Sequence, residues 1–227
     1  MAARTSSDGP GAGRAAAPND GSIQDSGDWA AYYEKTGMRP PRKTLIFALD
    51  RFDAEGRPAN AFAVDLGSGS GRDTIEILRR GWPVLAVDSA PAAIEQLLAR
   101  ADLPDGARIE TQNRRYEDMT LPPCDLVNAA FSLPLCPKEA FPAVWAKIVG
   151  ALRPGGRFSG HLYGDRDSWA GDPTMTHLTR DEAEALLAGL EVEMFEEEED
   201  DSVTPRGMAK HWHIFHVVAR KPGGAGI

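Results

Sequence analysis

Cysteine is scarce in this chain, with only Cys124 and Cys136 among 227 residues. Two thiols build no disulfide framework and offer no metal-ligand spacing, so ordinary reduced cysteines are expected. Long apolar runs are missing too: no stretch approaches the roughly 20 apolar residues that a membrane span requires. Residues 1–28, rich in Ala, Gly, Ser, Pro and Asp, lack the apolar core of a secretory signal and read as a flexible tail. Residues 223–227 read the same way, and a cytoplasmic protein with no membrane partner is expected. Positive charge is in deficit, with 25 Lys plus Arg against 34 Asp plus Glu and a net charge of −9. That balance argues against a nucleic-acid partner, which needs a basic track. What is present is ordinary for a globular enzyme: 42% hydrophobic and 26% charged residues, in a length that buries one sizeable core. A small-molecule substrate is the expected partner, taken up by a monomer or homodimer.

The most informative stretch is Ala63-Val-Asp-Leu-Gly-Ser-Gly-Ser-Gly-Arg-Asp-Thr74, which reads as a buried strand, a glycine-rich turn and the first turn of a helix. Gly67, Gly69 and Gly71 let the backbone turn sharply and approach a ligand. Asp65 falls at the carboxyl end of the strand, where open α/β sheets bind ligands. Seventeen residues after Gly71, the apolar run Trp82-Pro-Val-Leu-Ala-Val-Asp88 ends in a second acid, suited to two ribose hydroxyls. The dinucleotide fingerprint G-x-G-x-x-G fails, because its sixth position is Arg72.

Further along, strands and helices alternate as in a doubly wound, Rossmann-like, mostly parallel α/β sheet of seven strands. Helices are expected over 72–80, after Asp88 with Pro91 in the first turn and Ile94, Leu97 and Leu98 at core spacing, and over roughly 138–152, the last ended by Arg153-Pro-Gly-Gly156. Strands are expected over 108–111, 124–131 and 157–163. Thr179-Arg-Asp-Glu182 is a capping box that opens one more helix. Two strands without a helix between them then follow, 191–197 and 211–219, forming a C-terminal antiparallel hairpin.

The spacing G-x-G-x-G, with acids at Asp65 and Asp88, resembles the class I S-adenosylmethionine-dependent methyltransferases. From about Trp29 to Pro222 the chain is similar to the tellurite-resistance-type subgroup, whose broader relatives include thiopurine S-methyltransferases. The segments that carry this are Tyr32-Tyr-Glu-Lys-Thr-Gly-Met-Arg-Pro-Pro41, Asp65 to Asp73, Asn128-Ala-Ala-Phe131, Gly164-Asp-Arg-Asp-Ser-Trp169 and Lys210-His-Trp-His213. The resemblance implies S-adenosyl-L-methionine as cofactor but fixes no substrate. It places Gly67, Ser68, Gly69 and Gly71 against the methionine end, with Asp65 accepting from the ammonium, and Asp88 and Ser89 at the ribose. Glu117 or Asp118 would meet the adenine amine, unless both lie in a solvated loop. Asn128 and Ala129 would face the methionine moiety. Arg72 is open to the cofactor carboxylate or to the acidic surface, and Asp73 to the dipole of its helix.

A sulfonium is already an activated methyl donor, so a thiolate or reduced chalcogen oxyanion needs only to be held in line. A hydroxyl or ammonium nucleophile would need a base. The candidates are His161 on the fifth strand and the Tyr33 hydroxyl, with ordinary packing the alternative for each. Arg166 could clamp an anionic substrate, or belong to a surface salt-bridge cluster. The Asn128-Ala-Ala-Phe131 segment lacks the two prolines of amide and base methyltransferases, and Phe131 is expected to wall the cofactor pocket. Trp169 is expected to cover the site. His211, His213 and His216 do not read as a metal site, because the third falls on the opposite strand face. The acidic run Glu196 to Asp201 reads as a solvated hairpin arm. Residues 29–42 are expected to form a helical lid. A non-catalytic cofactor-binding regulator is the competing functional class.

Overall fold

The computed structural model describes Tyr33, residues 36–204 and residues 207–223. The tail expected over 1–28, most of the lid before Thr36 and the last four residues lie outside them. An eight-stranded mixed sheet carries the molecule, in the order β3-β2-β1-β4-β5-β8-β7 with β6 beside β5. The parallel strands are β1 (Ala63–Leu66), β2 (Val84–Asp88), β3 (Ile109–Asn113), β4 (Cys124–Ala129) and β5 (Leu152–Gly164). Of the remainder, β6 (His177–Leu178) adds two residues, and β7 (Glu191–Val203) and β8 (Ala209–Arg220) form the long antiparallel hairpin. The seven expected strands make up the main path, and β6 is the addition.

Side-chain alternation along the strands feeds two cores. Ala63, Val84, Ala86 and Leu126 point to one face, where they meet α1 (Lys43–Glu55), α2 (Thr74–Arg79) and α3 (Pro91–Leu98). Val64, Leu85, Val87 and Val127 point to the other, against α4 (Phe141–Ala151) and α5 (Arg180–Leu186). Burial of this kind contributes about 25 cal/mol per Å² of apolar surface, which is why both faces must be covered. Thr179 and Glu182 form the anticipated capping box at α5. The segment 153–156, expected to stop α4, instead lies within β5 beside a register shift in the β4–β5 ladder. A Cβ on Gly156 would press on the carbonyl oxygens of Asp125 and Arg153, so the bulge needs glycine there.

One charged side chain lies inside this scaffold. Arg157 on β5 is fully buried. It donates to Glu193 from Nε at 2.7 Å and Nη2 at 2.9 Å, and from Nη2 to Glu55 at 2.7 Å, with its guanidinium 4.6 Å from the Phe52 ring centroid. The arrangement joins α1, β5 and β7.

Candidate functional site

At the carboxyl ends of β1, β2 and β4 a cavity of about 810 Å³ opens, within the range of small-molecule sites. The turn after β1 forms its floor. The N–H groups of Gly67 and Ser68 donate to the Val87 carbonyl at 2.8 and 3.1 Å, fixing the turn against β2. Gly67 and Gly69 have φ of 65° and 54°, which favour glycine. A Cβ on Gly67 would collide with Ser132, and one on Gly69 would lie 3.0 Å from the Tyr33 ring. Ser68 lines the cavity, and its hydroxyl is buried without a hydrogen-bond partner among the described residues. Such an orphaned group calls for a ligand.

Asp88 accepts from the Gly69 N–H at 2.8 Å and the Ala90 N–H at 2.9 Å, and burial raises its pKa. Asp65 accepts from the Thr74 hydroxyl at 2.5 Å and from Asn128 Nδ2 at 2.9 Å. Asn128 Nδ2 also reaches Asp73 at 3.2 Å, its Oδ1 accepts from Ser159 at 2.8 Å, and Asp73 accepts from the Arg42 N–H at 2.9 Å. Burial, and next the charge of Asp73, push the Asp65 carboxyl up to about 7.

Of the expected cofactor-site residues, Asp65, Gly67, Ser68, Gly69, Arg72, Asp88, Ser89 and Glu117 line the cavity. Four do not. Gly71 packs under Leu97, where a Cβ would collide with the leucine methyl. Asn128 and Ala129 are fully buried in β4, with Asn128 turned into the Asp65–Asp73 network and Ala130 at the cavity instead. Asp118 shares the short 3-10 turn of Tyr116–Asp118 with Glu117 but faces away from the cavity. Asp73, expected at its helix dipole, is a buried member of the same network, and Arg72 donates to the Pro40 carbonyl at 2.6 Å.

Two catalytic candidates move away from the cavity. His161 stacks behind Phe131, ring centroids 4.0 Å apart, and burial holds its pKa well below the usual imidazole range. Phe131, at φ 54°, turns its ring between that imidazole and the cavity. Arg166 lies on the outer face of the hairpin, donating to Glu199 at 2.9 Å and Glu197 at 2.7 Å. It is a surface ion-pair residue, because Glu197 and Glu199 project away from the cavity. Tyr33 lines the cavity, together with Thr36, Arg39 and Arg42 of the lead-in segment.

The acidic run lies on an exposed hairpin arm, as expected, but two of its acids also border the cavity. Its residues lie in β7, paired with β8 so that Glu198 faces Ile214 and Asp200 faces Trp212. Glu198 and Asp200 therefore line the cavity, while Glu197, Glu199 and Asp201 meet Arg166, Arg180, His213 and His211 outside. The register of the hairpin decides this, and the sequence of the run alone carries no signal for it. Phe131, Tyr163, Trp169 and Trp212 supply rings to the same cavity.

Comparison with known proteins agrees with this geometry. Residues 63–156 match the family described as a methyltransferase domain. The fold is that of TehB from Haemophilus influenzae, at TM-score 0.66 and 15% identity over 84% of this chain, which spans 65% of TehB. It is also that of magnesium protoporphyrin IX methyltransferase from Synechocystis, at TM-score 0.62 and 13% identity over 86% of this chain and 92% of that one. A third is 1,6-didemethyltoxoflavin-N1-methyltransferase from Burkholderia thailandensis, at TM-score 0.58 and 22% identity over 85% of this chain and 81% of that one. No curated protein matches the chain in sequence. Fold and matched domain together support a class I S-adenosylmethionine-dependent methyltransferase, with the domain match confined to residues 63–156. Among the described residues, no helix is long and apolar enough to cross a membrane.

Proposed function

We propose that this chain transfers the methyl group of S-adenosylmethionine to a small organic molecule. The observation that carries this reading is a single cavity with two different ends: the Gly67–Ser70 turn with Asp88 and a Ser68 hydroxyl that has no partner among the described residues at one, four aromatic rings at the other. Gly67 to Gly69 and Ser68 would hold the amino-acid end of the cofactor, Asp65 its ammonium, Asp88 and Ser89 the ribose, and Glu117 the adenine amine. Tyr33, packed over Gly69, and Arg39 and Arg42 would close the site from the lid side. Bound there, the cofactor supplies a methyl group on a sulfonium. The chain's own residues orient the acceptor and exclude water.

The neighbours support an organic acceptor, since the names of two of them specify flat ring systems, a porphyrin and a toxoflavin precursor. A thiol remains compatible, because no histidine lines the cavity among the described residues and a thiolate needs no base. A chalcogen oxyanion fits less well, because Glu198 and Asp200 face the acceptor end. The test is binding of S-adenosylhomocysteine and NAD by calorimetry, followed by labelled-methyl transfer to thiols, tellurite, selenite, amines, carboxylic acids and heteroaromatics. Micromolar binding of the first ligand, none of NAD, and transfer to an organic acceptor are expected. Preferential NAD binding overturns the reading. Cofactor binding with no transfer to any acceptor would favour a non-catalytic regulator.

A further inference from the structure

The acceptor end of the cavity is built from rings that are held in place. Trp169 and Trp212 have centroids 5.6 Å apart, Tyr163 and Trp212 6.0 Å, and Phe131 and Trp212 6.4 Å. Behind the indoles lies a buried ion pair of Lys210 with Asp167, both side chains withdrawn from solvent. Asp167 also accepts from the Trp169 N–H at 2.9 Å. The Lys210 ammonium sits 3.5 Å from the Trp169 centroid and 4.4 Å from that of Trp212. Lysine and aspartate together add no net charge, yet they tie the loop after β5 to the hairpin and fix two indoles.

The same end carries two carboxylates. Glu198 and Asp200 project from β7 beside Ile214 and Trp212. His216 Nε2, 2.8 Å from Glu198 Oε2, donates to that carboxylate and sets its orientation. On the lid side the Arg42 guanidinium is held 4.1 Å from the Phe131 centroid, and the Arg42 backbone N–H donates to Asp73, whose carboxyl burial pushes up. Ring faces attract cations, and an adjacent carboxylate strengthens that preference.

We propose that the methyl acceptor is a flat aromatic molecule carrying a positively charged nitrogen, seated against Tyr163, Trp169 and Trp212 with its charge toward Glu198 and Asp200. The proposal rests on the methyltransferase reading and specifies the substrate class for the same site. An anion of equal size would meet the same rings and be repelled by both carboxylates.

Two probes of matched shape and opposite charge, 1-methylquinolinium and 2-naphthalenesulfonate, test this with the full chain saturated by S-adenosylhomocysteine, read as quenching of tryptophan fluorescence. The cation is expected to bind about tenfold or more tightly than the anion, which corresponds to about 1.4 kcal/mol. In the double variant Glu198→Gln, Asp200→Asn the preference should fall to about twofold or less, and Trp212→Ala should weaken both probes. Calorimetry of S-adenosylhomocysteine on the same samples should show unchanged affinity. Equal or tighter binding of the anion to the wild-type chain, or a preference that survives the double variant, overturns the inference and leaves the methyltransferase reading standing. Failure of S-adenosylhomocysteine itself to bind would overturn both.

Discussion

Replacing Asp88 with alanine separates two tasks of one carboxylate. Its oxygens accept from the Gly69 and Ala90 N–H groups at 2.8 and 2.9 Å, so truncation strands one donor in the glycine turn and one at the start of α3. Stranding a buried donor costs about 1–3 kcal/mol. Asp88 is 8% exposed, so water relieves part of that cost and about 2–3 kcal/mol of folding stability should be lost in all. The proposed ribose contact is a separate quantity. Losing charge-assisted bonds there should weaken S-adenosylhomocysteine binding by about 1.5–3 kcal/mol, or about 10- to 150-fold. Urea unfolding measures the first loss, and calorimetry on the folded variant measures the second. Asp88→Asn keeps one acceptor oxygen and should fall between wild type and alanine in both assays. Unchanged ligand affinity in a folded Asp88→Ala protein would remove this residue from the ribose site, and an unchanged unfolding midpoint would show that it does not pin the turn.

Asp65 should give stability a pH dependence of recognisable sign. Its folded pKa of about 7 exceeds the ordinary 3.8, so between these values the native state holds a proton that the unfolded chain has released, and stability falls as pH rises through that window. Asp65→Asn should gain on wild type from about pH 4 to about pH 7 and hold a constant difference above it; a difference independent of pH in chemical denaturation would refute the assignment. Arg157→Ala removes the buried partner of Glu193 and Glu55 and should cost about 3–5 kcal/mol in urea unfolding, with a loss below about 1 kcal/mol counting against it. Deleting residues 1–28 should leave turnover unchanged. Deleting through Arg42 removes Tyr33, Thr36, Arg39 and Arg42 from the cavity and should lower turnover far more than thermal stability; an activity loss only in proportion to unfolded protein would make the segment structural.

The glycine-turn end of the cavity is legible in sequence because its elements are local. A strand, three glycines and an acid lie within a few residues of one another, and positive φ at Gly67 and Gly69 follows from the turn they make. The acceptor end depends on long-range register. Nothing in the run Glu196 to Asp201 distinguishes its faces, since both carry acids, and only pairing with β8 assigns Glu198 and Asp200 to the cavity. The apolar pattern of the hairpin likewise fades before its strands do, so β7 and β8 extend beyond the expected limits of 197 and 219. His161 was misplaced for a different reason. Its position on β5 was right, but the left-handed backbone at Phe131 that slides a ring in front of it has no sequence signal. Arg166 looked like an anion clamp because its acidic partners lie more than thirty residues away in sequence.

The hairpin that walls the cavity also ends the sheet, since β7 is the last strand in the order. A terminal strand of 13 residues is long enough to template pairing with a second copy. Here a copy laid alongside would bring carboxylates from Glu196 to Asp201 against their own kind, and like charges facing across strands repel. The acids on β7 would thus oppose pairing of this edge with a second copy, in addition to bordering the cavity. That opposition depends on ionisation: Arg166 holds the Glu197 and Glu199 carboxyls down to about 2, so their charge outlasts the ordinary carboxylate range while the backbone donors and acceptors stay in place.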